Sequence, residues 1–414
     1  MSTSSVKLAT PQGYQALNTQ TVCIYLGDIK EIAQKLGGAP SSWSAKEVGD
    51  GNLNLVFIVE GEKTSVVVKQ ALPYVRLVGE SWPLPLSRAH FEYKALVEET
   101  LHAPEFVPAL YHHDHDMALT VMEYLSPHII LRKGLIAGTK YPNMAAHIGA
   151  FLARTLFNTS DLALDPVTKR EKIAAYLTNT AMCKISEDLI FDEPYFDAEL
   201  NRHTSPQLDE TAQDFRNDLE LKIAVQELKH KFLNAPEALL HGDLHTDSVM
   251  VTDSDTRAID PEFAFFGPMG FDVGAFLANL FLSYFSKDEN DDYRAWILDQ
   301  AKEVWSVFEN EFTALWNARD TGELYNTRLY ADTPALKDAA LKTRLDNIFQ
   351  DALGFAGCKM IRRILGLAHV EDLDSIEDTD VRAAREKSAL AFGRRLILER
   401  ENFKSIDDVL KAIS

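Results

Sequence analysis

Residues 239–275 read LLHGDLHTDSVMVTDSDTRAIDPEFAFFGPMGFDVGA, and ionisable groups alternate there with apolar runs too short for helices. That pattern predicts short strands carrying a site. Val249 to Val251 form one expected strand, the Asp253 to Asp255 turn reverses the chain, and Arg257 to Ile259 form a second. Such a hairpin is expected to bring Asp243 and the group Asp260, Pro261, Glu262 towards one end of a sheet. Carboxylates clustered in this way have a plain chemical use: one orients and deprotonates a hydroxyl, and others hold magnesium against a polyphosphate. Taken alone, the pentapeptide HGDLH fits two other readings, a hydrolase metal cluster built on His241 and His245 or a hydrogen-bonded loop.

Composition bounds the answer. The chain has 414 residues, 46% of them hydrophobic, which is enough for two or three packed units with a sizeable core. A formal net charge of -20 argues against partners that demand cationic surface, so neither nucleic acid nor anionic membrane is expected. Three widely spaced cysteines, Cys23, Cys183 and Cys358, give neither a disulfide framework nor a zinc spacing, which fits a reducing cytoplasm. MSTSSVKLATPQGY lacks the apolar core of a signal peptide, and no run approaches the ~20 apolar residues of a membrane span.

Along the chain, residues 15–36 predict two short helices broken at Leu26-Gly27-Asp28, and residues 43–48, 54–59 and 65–70 predict strands. The turn Val48 to Asn54 contains Gly49, Gly51 and Asn52; alone it is an ordinary tight turn. Lys69 closes an apolar run, where a lysine commonly reaches solvent. Residues 79–85, with Trp82 between prolines, cannot be helical. A helix over 87–101 is expected, with Ser87 as N-cap and an apolar stripe of Tyr93, Leu96, Val97 and Leu101. LTVMEYL (119–125) reads as a buried strand. Helices are then expected over 144–158, 170–180, 209–233, 272–286, 291–318 and 334–370, with 191–208 as a polar surface connection. In the last helix Arg362 and Arg363 lie on no obviously polar face. Each therefore needs an anionic or multiply hydrogen-bonding partner, unless it snorkels or serves a structural ion pair.

HGDLH, a short hairpin and then IDPE resemble the catalytic and metal loops of the protein-kinase-like fold in its small-molecule, aminoglycoside-phosphotransferase-like branch. IDPEFAFFGPMGFDVGAF, DGNLNLVF and KMIRRILGLAHV resemble the 5-methylthioribose kinases more specifically. Protein kinases place a metal-binding Asn five residues after the catalytic Asp, and here that position is Ser248, which the narrower family shares. A hydroxyl is the weaker magnesium ligand, leaving Glu262 to supply the second. Asp247 has no reading.

The resemblance implies an α+β, bilobal fold: a mainly antiparallel N-terminal lobe over 1–124 and a larger, mostly helical C-terminal lobe over 125–414. It implies ATP-dependent phosphorylation of the anomeric hydroxyl of 5-methylthioribose, giving 5-methylthioribose 1-phosphate and ADP in methionine salvage. Asp243 would be the catalytic carboxylate, and Asp260 and Glu262 would hold Mg2+. ATP would meet Gly49, Gly51, Asn52 and Lys69, with Glu92 as the lysine's acidic partner and Pro261 within the metal loop. The strand end at Met122, Glu123 and Tyr124 would meet adenine through its backbone. Arg362 and Arg363 would bind the sugar, Trp82 would lie in a covering loop or else anchor the core, and the assembly would be a homodimer. The rival readings are a kinase of another small alcohol (aminoglycoside, choline, homoserine or fructosamine type) and a nucleotide-binding scaffold without turnover.

Overall fold

A computed structural model of the chain describes residues 10–49, 53–76, 79–288, 292–330 and 333–413. Its contacts divide the chain into two compact units, one made of Met1–Pro127 with Asp260–Phe263, the other of His128–Ile259 with Ala264–Ser414. Residues 260–263, which the sequence places in the second lobe, therefore pack with the first unit.

The first unit is built on a five-stranded antiparallel sheet in the order β1-β2-β3-β7-β6: β1 (Ser44–Glu47), β2 (Asn54–Glu60), β3 (Ser65–Ala71), β6 (Leu110–Asp114) and β7 (Leu119–Glu123). The ribbon β4 (Tyr74–Val75) and β5 (Gly79–Pro83) stands apart from it and carries half-buried Trp82. Alternation along β3 separates its two faces. Val66 and Val68 join Phe57, Val59, Leu119 and Val121 in a core completed by Val22, Leu26, Ile32 and Leu36 from the helices Thr21–Asp28 and Lys30–Leu36. Lys69, one residue off that set, is turned to the opposite face. Gln70 is buried but satisfied, accepting from the Leu17 N–H and donating to the Gln15 and Met117 carbonyls.

The Arg88–His102 helix departs from the expected stripe. Val97 and Leu101 are 43% and 70% exposed, while Arg88, Phe91, Glu92, Ala95, Leu96 and Glu99 are buried. Ion pairing and hydrogen bonding set this face, which apolar periodicity does not report. The Ser87 side chain makes no capping hydrogen bond among the described residues.

The second unit is mainly helical, with two small antiparallel sheets: β8 (Ile129–Ile130), β10 (Val249–Val251) and β11 (Thr256–Ala258) in the order β11-β10-β8, and β9 (Ala238–Leu240) with β12 (Phe265–Gly267). The hairpin of the opening stretch is present, its second strand running one residue earlier than expected. Three helix bounds also differ. Residues 209–234 form two helices, Asp209–Asn217 and Leu219–Asn234, because Asp218 is extended and caps the Leu221 N–H. Pro166–Tyr176 begins earlier than expected, capped by Asp165 with Pro166 in its first turn. The longest helix, Pro334–Leu365, stops before Gly366. Within 191–208, Phe191 is fully buried and lies in a π-helical turn (Glu187–Asp192), so that segment is not purely surface.

The helix Gly270–Ser286 is buried along its whole length. It packs closely on Pro334–Leu365: a Cβ added at Gly274 would lie 2.3 Å from the Ala352 carbonyl oxygen. Gly274→Ala should therefore force these helices apart and cost about 1–3 kcal/mol, readable as a lower urea midpoint at unchanged slope. An unchanged midpoint would show that this contact is not tight.

Candidate active site

In the first unit β3 delivers Lys69 to the buried face of the Arg88–His102 helix. Lys69 Nζ lies 2.7 Å from Glu92 Oε1 and is also paired with Asp260. Asp260 holds φ +71°, a left-handed backbone that Asp tolerates better than most residues but that still costs roughly 1 kcal/mol. Glu262 is 3% exposed; its Oε2 accepts from Asn54 Nδ2 at 3.1 Å and lies 3.4 Å from Arg88 Nε. Arg88 is fully buried and donates to the carbonyls of Leu53 (2.6 Å) and Leu72 (2.7 Å) and to Asn54 Oδ1 (2.8 Å). It thereby ties β2, the start of its own helix and the IDPE loop together.

Glu92, Asp260 and Glu262 each place a carboxylate oxygen within 4.8 Å of the others. Burial pushes Glu92 up to about 7, with Asp260 and Glu262 adding to the rise and Lys69 opposing it. Burial and then Asp260 raise Glu262 as well. Burial works against the Lys69 ammonium, yet Asp260, Glu92 and Glu262 outweigh it and hold it above its ordinary value. Three carboxylates facing one lysine and one arginine leave an unbalanced negative charge. Hard oxygen donors carrying such an excess suit a divalent cation such as Mg2+.

Other expected nucleotide contacts are less complete. Gly49 faces open space, and Gly51 and Asn52 lie outside the described residues. Pro261 is buried within the loop. Met122 pairs in register with Val67. The Glu123 N–H donates to the Ala109 carbonyl at 2.8 Å, so that amide is already engaged. Tyr124 follows the end of β7.

The second unit holds Asp243. The loop before it is fixed by Asp272, whose two carboxylate oxygens accept from the His241 N–H (2.7 Å) and the Gly242 N–H (3.1 Å). Gly242 takes φ +82°, open to glycine without strain. His245 Nδ1 accepts from the Asp247 N–H at 3.1 Å, so the proton of the neutral ring is on Nε2, which donates to Asp243 Oδ2 at 3.1 Å. Burial holds that ring below its usual pKa, hence neutral near pH 7. Asp243 Oδ1 accepts from Lys359 Nζ at 2.9 Å. Burial alone would raise the Asp243 carboxyl, but Lys359, His245 and Arg362 hold it well below the usual carboxylate range.

His241 Nε2 donates to the Ile259 carbonyl at 2.9 Å, and its Nδ1 faces the Asp243 N–H at 3.4 Å. Both imidazoles are thus committed to loop bonds, which removes the hydrolase reading. Ser248 Oγ donates to the Asp243 carbonyl at 2.9 Å, bracing the loop. Asp247 also gains an account: it pairs with buried Arg132, which donates further to Thr246 Oγ1 (3.1 Å) and Asn279 Oδ1 (2.7 Å).

Arg362 and Arg363 are 8% and 9% exposed at the end of Pro334–Leu365. Among the described residues Arg362 Nε has no hydrogen-bond partner, and Arg363 Nη1 makes 3.4 Å contacts to the Ala368 and His369 carbonyls. Burial lowers both guanidiniums, Arg363 to about 9. A buried pair with spare donors is poised for an oxygen-rich ligand.

Sequence reasoning missed Asn54, Arg88, Arg132, His245 as a hydrogen-bond donor, Asp272 and Lys359. Arg88 and Asp272 begin helices and read as terminal charges, and Lys359 meets a partner 116 residues away in the chain.

Residues 44–310 match the phosphotransferase enzyme family (APH). The chain is 46% identical over 410 residues to the methylthioribose kinase of Escherichia coli O45:K1 (strain S88 / ExPEC), covering 97% of this chain and 98% of that one. The chain belongs to the methylthioribose kinase family. Further members match as closely in identity: methylthioribose kinase 1 of Oryza sativa subsp. japonica at 46%, covering 96% and 95%, and the methylthioribose kinase of Geobacillus thermodenitrificans (strain NG80-2) at 46%, covering 88% and 89%. The family's kinase-like phosphotransferase fold accords with an antiparallel sheet in the first unit and a largely helical second unit. No helix among the described residues is long and apolar enough to cross a membrane.

Asp272→Ala would leave two buried amides without acceptors in this methylthioribose kinase family loop. A loss on the order of 3 kcal/mol is expected by urea denaturation, and a loss under roughly 1 kcal/mol would show that the loop does not depend on this carboxylate.

Proposed function

We propose that the protein is an ATP-dependent kinase that phosphorylates the anomeric hydroxyl of 5-methylthioribose, giving 5-methylthioribose 1-phosphate and ADP. The observation that carries this reading is 46% identity over nearly the full length to a methylthioribose kinase, joined to a doubly hydrogen-bonded Asp243 and two buried arginines in the same unit.

Lys69 binds the phosphates of ATP, and Glu92 and Asp260 hold its ammonium in place. Asp260 and Glu262, with Glu92 beside them, would hold Mg2+, which when bound neutralises charge on the phosphate oxygens. Gly49, Gly51 and Asn52 would meet the phosphates, as the family resemblance implies. The backbone around Met122, Glu123 and Tyr124 receives adenine, with the Glu123 amide excluded because it is engaged. Asp243 orients the acceptor hydroxyl. As the new O–P bond forms, the hydroxyl proton passes to Asp243, the bond from the γ-phosphorus to the bridging oxygen breaks, and its electron pair leaves with ADP. A carboxylate held so far below its usual pKa is a weak base, so alignment outweighs early deprotonation, as suits a loose phosphoryl-transfer transition state. Arg362 and Arg363 donate to sugar oxygens, and their spare donors favour an uncharged polyhydroxylated acceptor over a cationic one such as choline or an aminoglycoside. The reading includes a place in methionine salvage, the cytoplasm and a homodimeric assembly.

A phosphorylation screen with Mg-ATP across 5-methylthioribose, ribose, choline and an aminoglycoside is expected to favour the thiosugar, and preference for any other acceptor would overturn the assignment. Asp243→Asn should bind Mg-ATP within about twofold of wild type by calorimetry yet lose about 10²- to 10⁴-fold in kcat; near-wild-type turnover would remove its role. Arg363→Ala should raise KM for the thiosugar at least about tenfold while leaving KM for ATP within about twofold, since a lost charged hydrogen bond is worth roughly 1.5–3 kcal/mol. Equal losses for both substrates would mark the arginine as structural.

A further inference from the structure

Lys359 is 3% exposed and lies one turn before Arg362 and Arg363 on the Pro334–Leu365 helix. Its Nζ is 2.9 Å from Asp243 Oδ1 and 4.9 Å from the centre of the Phe271 ring. With His245 Nε2 on the other oxygen, the carboxylate is gripped at both ends. A single hydrogen bond would leave it free to rotate about its χ2 axis; two in opposite senses define one plane, and each oxygen keeps a lone pair for an incoming hydroxyl.

We propose that Lys359 is a positioning residue for the transfer reaction, whose ammonium keeps Asp243 ionised and in the one orientation that aligns the acceptor hydroxyl. This rests on the phosphoryl-transfer reading above. The charged groups facing Lys359 are Asp243 from the loop, Asp272 from Gly270–Ser286, and Arg362 and Arg363 from its own helix, while neutral His245 meets the far oxygen of Asp243. Burial lowers the ammonium to about 8; Asp243 opposes that fall, and Arg362 and Arg363 add to it. The grip is therefore complete at neutral pH and is lost as pH rises through about 8, when the amine becomes neutral. A guanidinium in its place stays charged throughout that range, so lysine and arginine differ here in a measurable way.

The test is kcat against pH for wild type, Lys359→Arg and Lys359→Met, with 5-methylthioribose and saturating Mg-ATP. Wild-type kcat should fall tenfold per pH unit above its alkaline pKa. Lys359→Arg should shift that limb upward by at least about one unit, and Lys359→Met should lose about 10²-fold in kcat with Mg-ATP affinity within about twofold. A limb at the same pH in Lys359→Arg, or Lys359→Met within twofold of wild type, would overturn the proposal. If neither variant folds, lysine 13Cε NMR on wild type and Asp243→Asn decides: one lysine titrating near neutrality should move to lower pKa when the carboxylate is removed, and no movement would overturn the proposal. Failure of wild type to phosphorylate the thiosugar would sink the functional reading alone, because the NMR shift requires no substrate.

Discussion

A carboxylate that stays ionised away from water must be matched by positive charge and by hydrogen-bond donors, or it takes up a proton. Asp243 meets that condition through Lys359, neutral His245 and, one turn on, Arg362. Much of the second unit's polar interior follows from this need. Asp272 sets the loop that presents Asp243, and Arg132, Asp247 and Ser248 brace the same loop from its other end. The fully buried Gly270–Ser286 helix supplies Asp272, and close packing at Gly274 holds it against the helix that supplies Lys359 and the arginines.

The first unit carries the opposite imbalance. Glu92, Asp260 and Glu262 outnumber Lys69 and Arg88, so burial and mutual repulsion raise the glutamates instead of depressing them. The cluster around Lys69 is thus short of cations, whereas Asp243 is faced by Lys359, Arg362 and Arg363. The same constraint shapes the Arg88–His102 helix, where charged side chains occupy the buried face and Val97 and Leu101 face solvent.

Much of this was legible in the chain. HGDLH, the short hairpin and IDPE are contiguous, so periodicity and motif place β10, β11 and both carboxylate groups, and the family resemblance pairs Lys69 with Glu92. What was not legible depends on partners distant in sequence. The stripe over 87–101 failed because hydrophobic spacing cannot register that Glu92 and Arg88 are buried by pairing with residues from β3 and the IDPE loop. Lys359 lies 116 residues from Asp243, and nothing local distinguishes it from a snorkelling lysine. The break at Asp218 needed only its cap to be recognised, and Asp165-Pro166 was likewise readable as a helix start.

The central claim is that Asp243 remains an unprotonated carboxylate although its side chain is largely withdrawn from solvent, 19% exposed. Infrared difference spectroscopy between wild type and Asp243→Asn, taken as pH is lowered from neutrality to about 4, where an ordinary aspartate is half protonated, tests this most directly. The difference should show a carboxylate stretch assigned to Asp243 throughout. A protonated-acid carbonyl band at neutral pH, or one growing in at the ordinary aspartate pKa, would contradict it.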